Sequence, residues 1–140
     1  MLVLIDTNVL IDYIQKRTPF YISAEKIFNA CAENKMDGCI AAHSVSNLFY
    51  ILRKQFTVEE RKELLKMLCT IFEVVGIDKE SIMAALDDNG FDDFEDCLQT
   101  KCALALQADY IVTRNIKDFS NSQVKCLDPD TFVCDVLGEV

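Results

Sequence analysis

The chain predicts an α/β fold, a single three-layer domain with a central, mainly parallel five-stranded sheet flanked by helices. Three observations lead there. Short apolar runs alternate with longer segments of helical period, the order that parallel β-α-β units require. The first run, Leu2-Val3-Leu4-Ile5, has no polar residue, as expected of a strand covered on both faces. With 140 residues, 51% of them hydrophobic, and no linker, the sequence gives one domain over residues 1–140. A domain of this size buries enough surface to fold without a disulfide or a metal.

The elements follow in order. The strand at 2–5 ends at Asp6, and Asp6 and Thr7 can cap the helix expected at 8–15. Thr18-Pro19 breaks that helix. A helix at 22–34 carries Ile22, Ile27, Phe28 and Cys31, and a second strand covers 38–41. The helix at 43–55 sets Val45, Leu48, Phe49 and Leu52 at i, i+3, i+4 and i+7. Thr57 with Glu60 is a capping box, opening a helix that runs to about residue 69. A third strand is expected at 72–77, then a helix capped by Asp78 through 86 and a loop at 87–92. A helix at 93–107 with Phe94, Leu98, Cys102 and Ala105 on one side precedes strands at 110–113 and 124–127 and a closing helix at 130–137.

Composition excludes several classes. Only 4 Gly and 2 Pro argue against a disordered or low-complexity chain. The net charge of −9 argues against a polybasic nucleic-acid binder, though not against a nuclease that presents acids to a metal. Asp6 interrupts the N-terminal apolar run and no basic segment precedes it, so no secretory signal is expected. No apolar run approaches the ~18 residues of a membrane span, and a cytoplasmic location is expected. The 7 Cys are scattered without a CxxC pair, and His43 is the only His, so reduced thiols are expected rather than a zinc cage. His43 reads as a helix-start residue. A Ser-His-Asp arrangement and a GxxxxGK[ST] phosphate loop are both absent from the sequence.

Charge is unevenly spread. Residues 78–96 hold eight acids and one base, which is −7 of the −9. Asp78, Glu80, Asp87 and Asp88 read as solvated caps and surface acids. The only basic concentration, Arg53 to Lys66, has five bases against three acids. In a parallel sheet, ligands bind beyond the carboxyl ends of the strands. Asp6 ends the first strand, Asp96 lies in the first turn or so of the 93–107 helix, and Asp118 follows the fourth strand. If the first and fourth strands are neighbours, these acids converge. Carboxylates so placed repel unless a cation lies between them, and hard oxygen ligands suit Mg²⁺ or Mn²⁺. Acids at strand ends are equally helix caps, so spacing alone leaves both readings open. Asn8 can orient Asp6 or cap the first helix; Thr113 can place a ligand or simply end its strand. Asp12 is expected to be exposed and structural.

The opening Met1-Leu-Val-Leu-Ile-Asp-Thr-Asn-Val-Leu-Ile-Asp-Tyr13 resembles that of PIN-domain proteins, the fold of VapC-type toxin ribonucleases. The block from Glu95-Asp96 through Val112-Thr113-Arg114-Asn115-Ile-Lys117-Asp118-Phe119 is similar to the later block of that family, and the helix Asn47-Leu-Phe-Tyr-Ile-Leu-Arg53-Lys54 to the middle one. The resemblance implies a metal-dependent endoribonuclease acting on RNA, with Mg²⁺ or Mn²⁺, a small antitoxin partner and a homodimeric state. Asp6 matches the first acid and Asp96 the third. The fourth falls at Asn115 or Asp118, with Asp118 favoured as the charged ligand. The second acid of the family is a Glu on the middle helix, and here that position is Asn47. An amide removes one negative charge, which Asp92 or Asp93 is placed to restore. The alternative the substitution allows is a catalytically weakened PIN-like binding module. Arg114, Lys117, Arg53 and Lys54 are the candidates for touching RNA phosphate.

Overall fold

The computed structural model describes residues 1–139. Its five strands are β1 (Leu2–Ile5), β2 (Asp37–Ala41), β3 (Glu73–Val75), β4 (Tyr110–Val112) and β5 (Lys125–Leu127). They form one sheet in the order β3-β2-β1-β4-β5, with every pairing parallel. β1 sits at the centre and pairs β4 through Val3–Tyr110, Leu4–Ile111 and Ile5–Val112. The first and fourth strands are therefore neighbours, and the carboxyl ends of both open onto one edge.

Helices cover both faces: α1 (Thr7–Ile14), α2 (Tyr21–Ala32), α3 (Ala42–Ile51), α4 (Val58–Ile71), α5 (Lys79–Asp87), α6 (Phe94–Ala105) and the single turn α7 (Pro129–Thr131). One face of the sheet packs Val3, Ile5 and Ile40 against Leu10, Ile27, Leu48 and Phe132. The other packs Leu4, Cys39 and Ile111 against Cys102, Ala103 and Phe119. The alternation along β1 explains why its sequence is apolar throughout. Thr57 and Glu60 form the expected capping box at the start of α4.

The differences from the sequence reading are local. β3 is three residues long rather than six, because its partner β2 ends at Ala41, where α3 begins. The helix expected to Gln55 loosens after Ile51 into a 3₁₀ turn, Leu52–Lys54. The closing helix is a short turn that continues with π geometry over Phe132–Val136. A 3₁₀ turn at Ile116–Phe119 was not expected; it carries Asp118. All 7 cysteines are free thiols; Cys31, Cys39, Cys97 and Cys102 are buried, while Cys69 and Cys134 are exposed. Among the described residues no helix is long and apolar enough to cross a membrane.

Candidate active site

Asp6 sits where β1 becomes α1, so its backbone is extended and its side chain can cap the helix. The carboxylate is buried and held by three neutral donors. Thr7 N–H reaches Oδ1 at 2.7 Å; Thr113 Oγ1 and Asn8 Nδ2 reach Oδ2 at 2.7 and 3.1 Å. Thr113 is positioned in turn by β4, whose next backbone N–H, that of Thr113, still bonds Leu127 O. Burial pushes the Asp6 carboxyl up to about 6, opposed by these hydrogen bonds.

Asp96 projects from the first turn of α6, with Asp93 capping that helix by accepting from Asp96 N–H at 3.0 Å. It too is buried. Burial and then the fields of Asp6, Asp93, Asp118 and Glu95 raise its carboxyl to about 7. Asp118 is exposed on the turn after β4 and Asn115 starts that turn, its N–H bonded to Thr113 Oγ1 at 3.0 Å.

Asn47 lies half-buried on α3, and its Nδ2 donates to Glu95 Oε1 at 3.1 Å. Glu95 was not singled out from the sequence. Its negative field reaches Asp6, Asp96 and His43. A carboxylate thus stands against Asn47, supplied by α6 rather than by α3. Asp93, expected as one source of that charge, is exposed at the helix cap and contributes its field to both buried acids.

Thr7, Ser44 and Gln99, all buried, form a polar contact between helices. Thr7 Oγ1 and Ser44 Oγ are 2.7 Å apart, and Gln99 Nε2 donates to Ser44 Oγ at 3.0 Å and to Thr7 Oγ1 at 3.4 Å. These residues tie together α1, α3 and α6, the helices that carry Asn8, Asn47 and Asp96. Ser44 and Gln99 have no exposed surface. Among the described residues, Gln99 Oε1 and both ring nitrogens of His43 are enclosed without a hydrogen-bond partner. His43 is the second residue of α3, and burial lowers its pKa.

The basic candidates separate. Arg114 does not project freely: its Nε and Nη2 donate to Asp12 at 2.6 and 3.2 Å, and its guanidinium stacks 4.1 Å from the Phe20 ring centroid. Asp12, expected to be exposed, has no exposed surface, because Arg114 reaches across to neutralise it. Lys117 is exposed on the turn with Asp118. Arg53 lies over Tyr50 at the far end of α3, and Lys54 follows in the 3₁₀ turn, both about two helical turns from Asn47.

The donor set, carboxylates and amide oxygens, is one that suits a hard divalent cation, and burial first, then the fields of neighbouring acids, raises the two carboxyls. Among the described residues no three acid, His or Cys side chains are already grouped to hold a metal ion.

The fold is shared with solved structures. VapBC2 from Rickettsia felis, bound to a DNA fragment from its promoter, aligns at a TM-score of 0.68 and 20% identity over 91% of this chain and 98% of that one. VapBC-1 from nontypeable Haemophilus influenzae aligns at 0.67 and 20% identity over 93% and 99%, and the DNA-bound VapBC of Salmonella typhimurium at 0.67 and 21% over 92% and 99%. No curated protein sequence matches the chain. The model of the PIN domain matches residues 2–117, which span β1 to β4 and bring in Asp6, Asn47, Glu95 and Asp96, and the chain belongs to the PIN domain family.

Proposed function

We propose that the protein is a metal-dependent endoribonuclease, the toxin of a toxin–antitoxin pair, with its active site at Asp6, Asp96, Asp118 and the Asn47–Glu95 pair. The observation that carries this reading is the pair of buried carboxylates, Asp6 and Asp96, raised to about 6 and about 7 with no salt bridge to either among the described residues. Uncompensated buried charge is destabilising, and its persistence at the carboxyl edge of a parallel sheet points to an external cation.

A divalent cation, Mg²⁺ or Mn²⁺, when bound supplies positive charge for the phosphoryl oxygens and makes water more acidic. Asp6 and Asp96 would hold it, with Asp118 at the mouth. Thr113, Asn8 and the Thr7 N–H keep the Asp6 carboxylate in one orientation. A carboxylate of the site can take a proton from that water. Lys117 stands on the exposed turn where a phosphate of the RNA would pass.

Two assembly features belong to the same reading. The solved neighbours include toxin–antitoxin complexes, which favours a small antitoxin partner here. A homodimer is the second. Val9, Leu10 and Ile11 of α1 are consumed by the core, which leaves Tyr50 and Ile51 of α3, 63% and 38% exposed, as the apolar contact. The Asn47–Glu95 contact favours the active enzyme over the weakened binding module, since the charge lost at Asn47 is present beside it.

The test is calorimetry with Mn²⁺ together with cleavage of end-labelled RNA, comparing the protein with Asp6→Asn and Asp96→Asn. Micromolar Mn²⁺ binding and cleavage in the parent, both lost in Asp6→Asn, are expected. Absence of both in the parent would leave the two buried acids without a cation to bind and end the nuclease reading.

A further inference from the structure

A cavity of about 300 Å³ is lined by Phe20, Arg114, Asp128, Pro129 and Asp130. Its walls come from the segment before α2, from the residues after β4 and from α7, which follows β5. It therefore shares the carboxyl edge of the sheet with Asp6. Arg114 directly follows Thr113, the residue that donates to Asp6, so the cavity and the acid site are both built on the end of β4. The volume is at the small end of the range for small-molecule sites, ~300–1,000 Å³.

The cavity has a planar lining that is already fixed. The Arg114 guanidinium is held by the buried Asp12 and stacked on Phe20, a residue 40% exposed. Pro129 adds an apolar surface. The polar groups are acceptors. Both Asp128 oxygens cap α7 through Thr131. The Ser23 hydroxyl donates to Asp130 Oδ1, and Asp130 is exposed, which leaves its carboxylate accessible. With Arg114 matched by Asp12, two acids remain, so the cavity disfavours a phosphate. It suits a flat, uncharged ring that offers N–H donors.

We propose that this cavity is a base-binding pocket, and that it takes a guanine unstacked from single-stranded RNA beside the bond to be cut. The assignment to RNA rests on the nuclease reading; the affinity for the base does not. Single-stranded RNA is read by stacking splayed bases on aromatic rings and guanidinium planes and by hydrogen bonds to their edges. Phe20 and Arg114 provide the stack. Among the four bases guanine alone presents two adjacent donors, N1–H and N2–H, toward one carboxylate, and Asp130 provides the acceptor. The phosphates on either side would then lie away from the two acids, toward Lys117 and the cation site.

Neutral nucleosides test it without the reaction. Titrations of guanosine, adenosine, cytidine and uridine followed by amide NMR should show guanosine tightest by about tenfold or more, with shifts at Phe20, Arg114 and Asp130. Phe20→Ala, at an exposed position, and Asp130→Asn, which keeps an acceptor for Ser23, should each weaken guanosine by about tenfold. Inosine, which lacks the 2-amino group, should lose a similar factor. No binding at solubility-limited concentration, equal binding of all four nucleosides, or binding unaffected by either variant overturns the proposal. Cleavage of RNA by a protein that ignores guanosine would sink the pocket and leave the nuclease; guanosine binding without metal-dependent cleavage would sink the nuclease and leave the pocket.

Discussion

Asp6 and Asp12 lie about two turns apart around α1, both buried, and they are treated in opposite ways. Asp12 faces a guanidinium with two hydrogen bonds, at 2.6 and 3.2 Å. Asp6 faces a hydroxyl, an amide and a backbone N–H, none of them charged. The end of β4 makes the difference: Thr113 turns to Asp6, and the next residue, Arg114, turns to Asp12. A cation was thus within one residue of Asp6 and is used elsewhere. The interior can neutralise a buried carboxylate with its own arginine, and at Asp6 it does not.

The comparison is sharpest in stability. Removing Arg114 leaves Asp12 charged, buried and alone, and breaking such a pair costs about 3–5 kcal/mol. Urea unfolding of Arg114→Leu should show that loss, and Asp12→Leu combined with Arg114→Leu should recover most of it. A loss below about 1 kcal/mol would make the pair a surface ornament.

Asp6 and Asp96 should behave with the opposite sign. In metal-free protein, Asp6→Asn and Asp96→Asn each relieve a charge that is disfavoured in the fold, and each should stabilise at pH 8 by about 1–2 kcal/mol. The same substitutions should abolish Mn²⁺ binding, so a gain in stability accompanies a loss of function. Destabilisation by both would show that the carboxylates are satisfied as they stand.

The pH dependence follows from the raised values. With carboxyls at about 6 and about 7 in the fold against 3.8 in the free residue, the folded protein holds these protons longer than the unfolded chain. Their contribution to stability therefore falls as pH rises from about 4 to about 7 and is flat above. Thermal melting without metal should show this decline, and saturating Mn²⁺ should flatten it near neutrality. A melting temperature that rises steadily across this interval in Asp6→Asn but equally in the parent would remove these two groups as its cause.

Asp6 and Asp96 were legible in the sequence because strand ends and helix starts are fixed by local pattern, and because parallel topology sends every strand end to one edge. The length of β3 was not, since it is set by where β2 stops. Asp12 was misread because one polar residue among Val9, Leu10 and Ile11 looks solvent-facing, and its partner lies 102 residues away. Gln99 and Ser44 carry no local signal at all: a buried hydrogen bond between α3 and α6 is written only in the packing. Glu95 was hidden by its neighbour. Successive helical residues diverge by ~100°, which makes Asp96 and Glu95 look like alternatives. The longer side chain reaches Asn47 while the shorter one turns toward Asp6.

The smallest expected effect is the most informative about that charge. Glu95→Gln keeps the contact with Asn47 but removes the carboxylate, and Mn²⁺ affinity should fall about tenfold, the worth of ~1.4 kcal/mol. Asn47→Glu alone would set two carboxylates against each other where 3.1 Å now separates amide and acid. Its added charge is offset by that repulsion, so affinity should change by less than about threefold and metal-free stability should drop by about 1 kcal/mol. Asn47→Glu combined with Glu95→Gln restores one acid and one amide in exchanged places, and affinity should return to within about threefold of the parent. The coupling in this cycle, on the order of 1 kcal/mol, is read by calorimetry with Mn²⁺ on the four proteins. If Asn47→Glu tightens binding tenfold while Glu95→Gln leaves it unchanged, Glu95 is a bystander and the site lacks an acid on α3. If the exchange restores affinity, the site needs the carboxylate between α3 and α6 and is indifferent to which helix carries it.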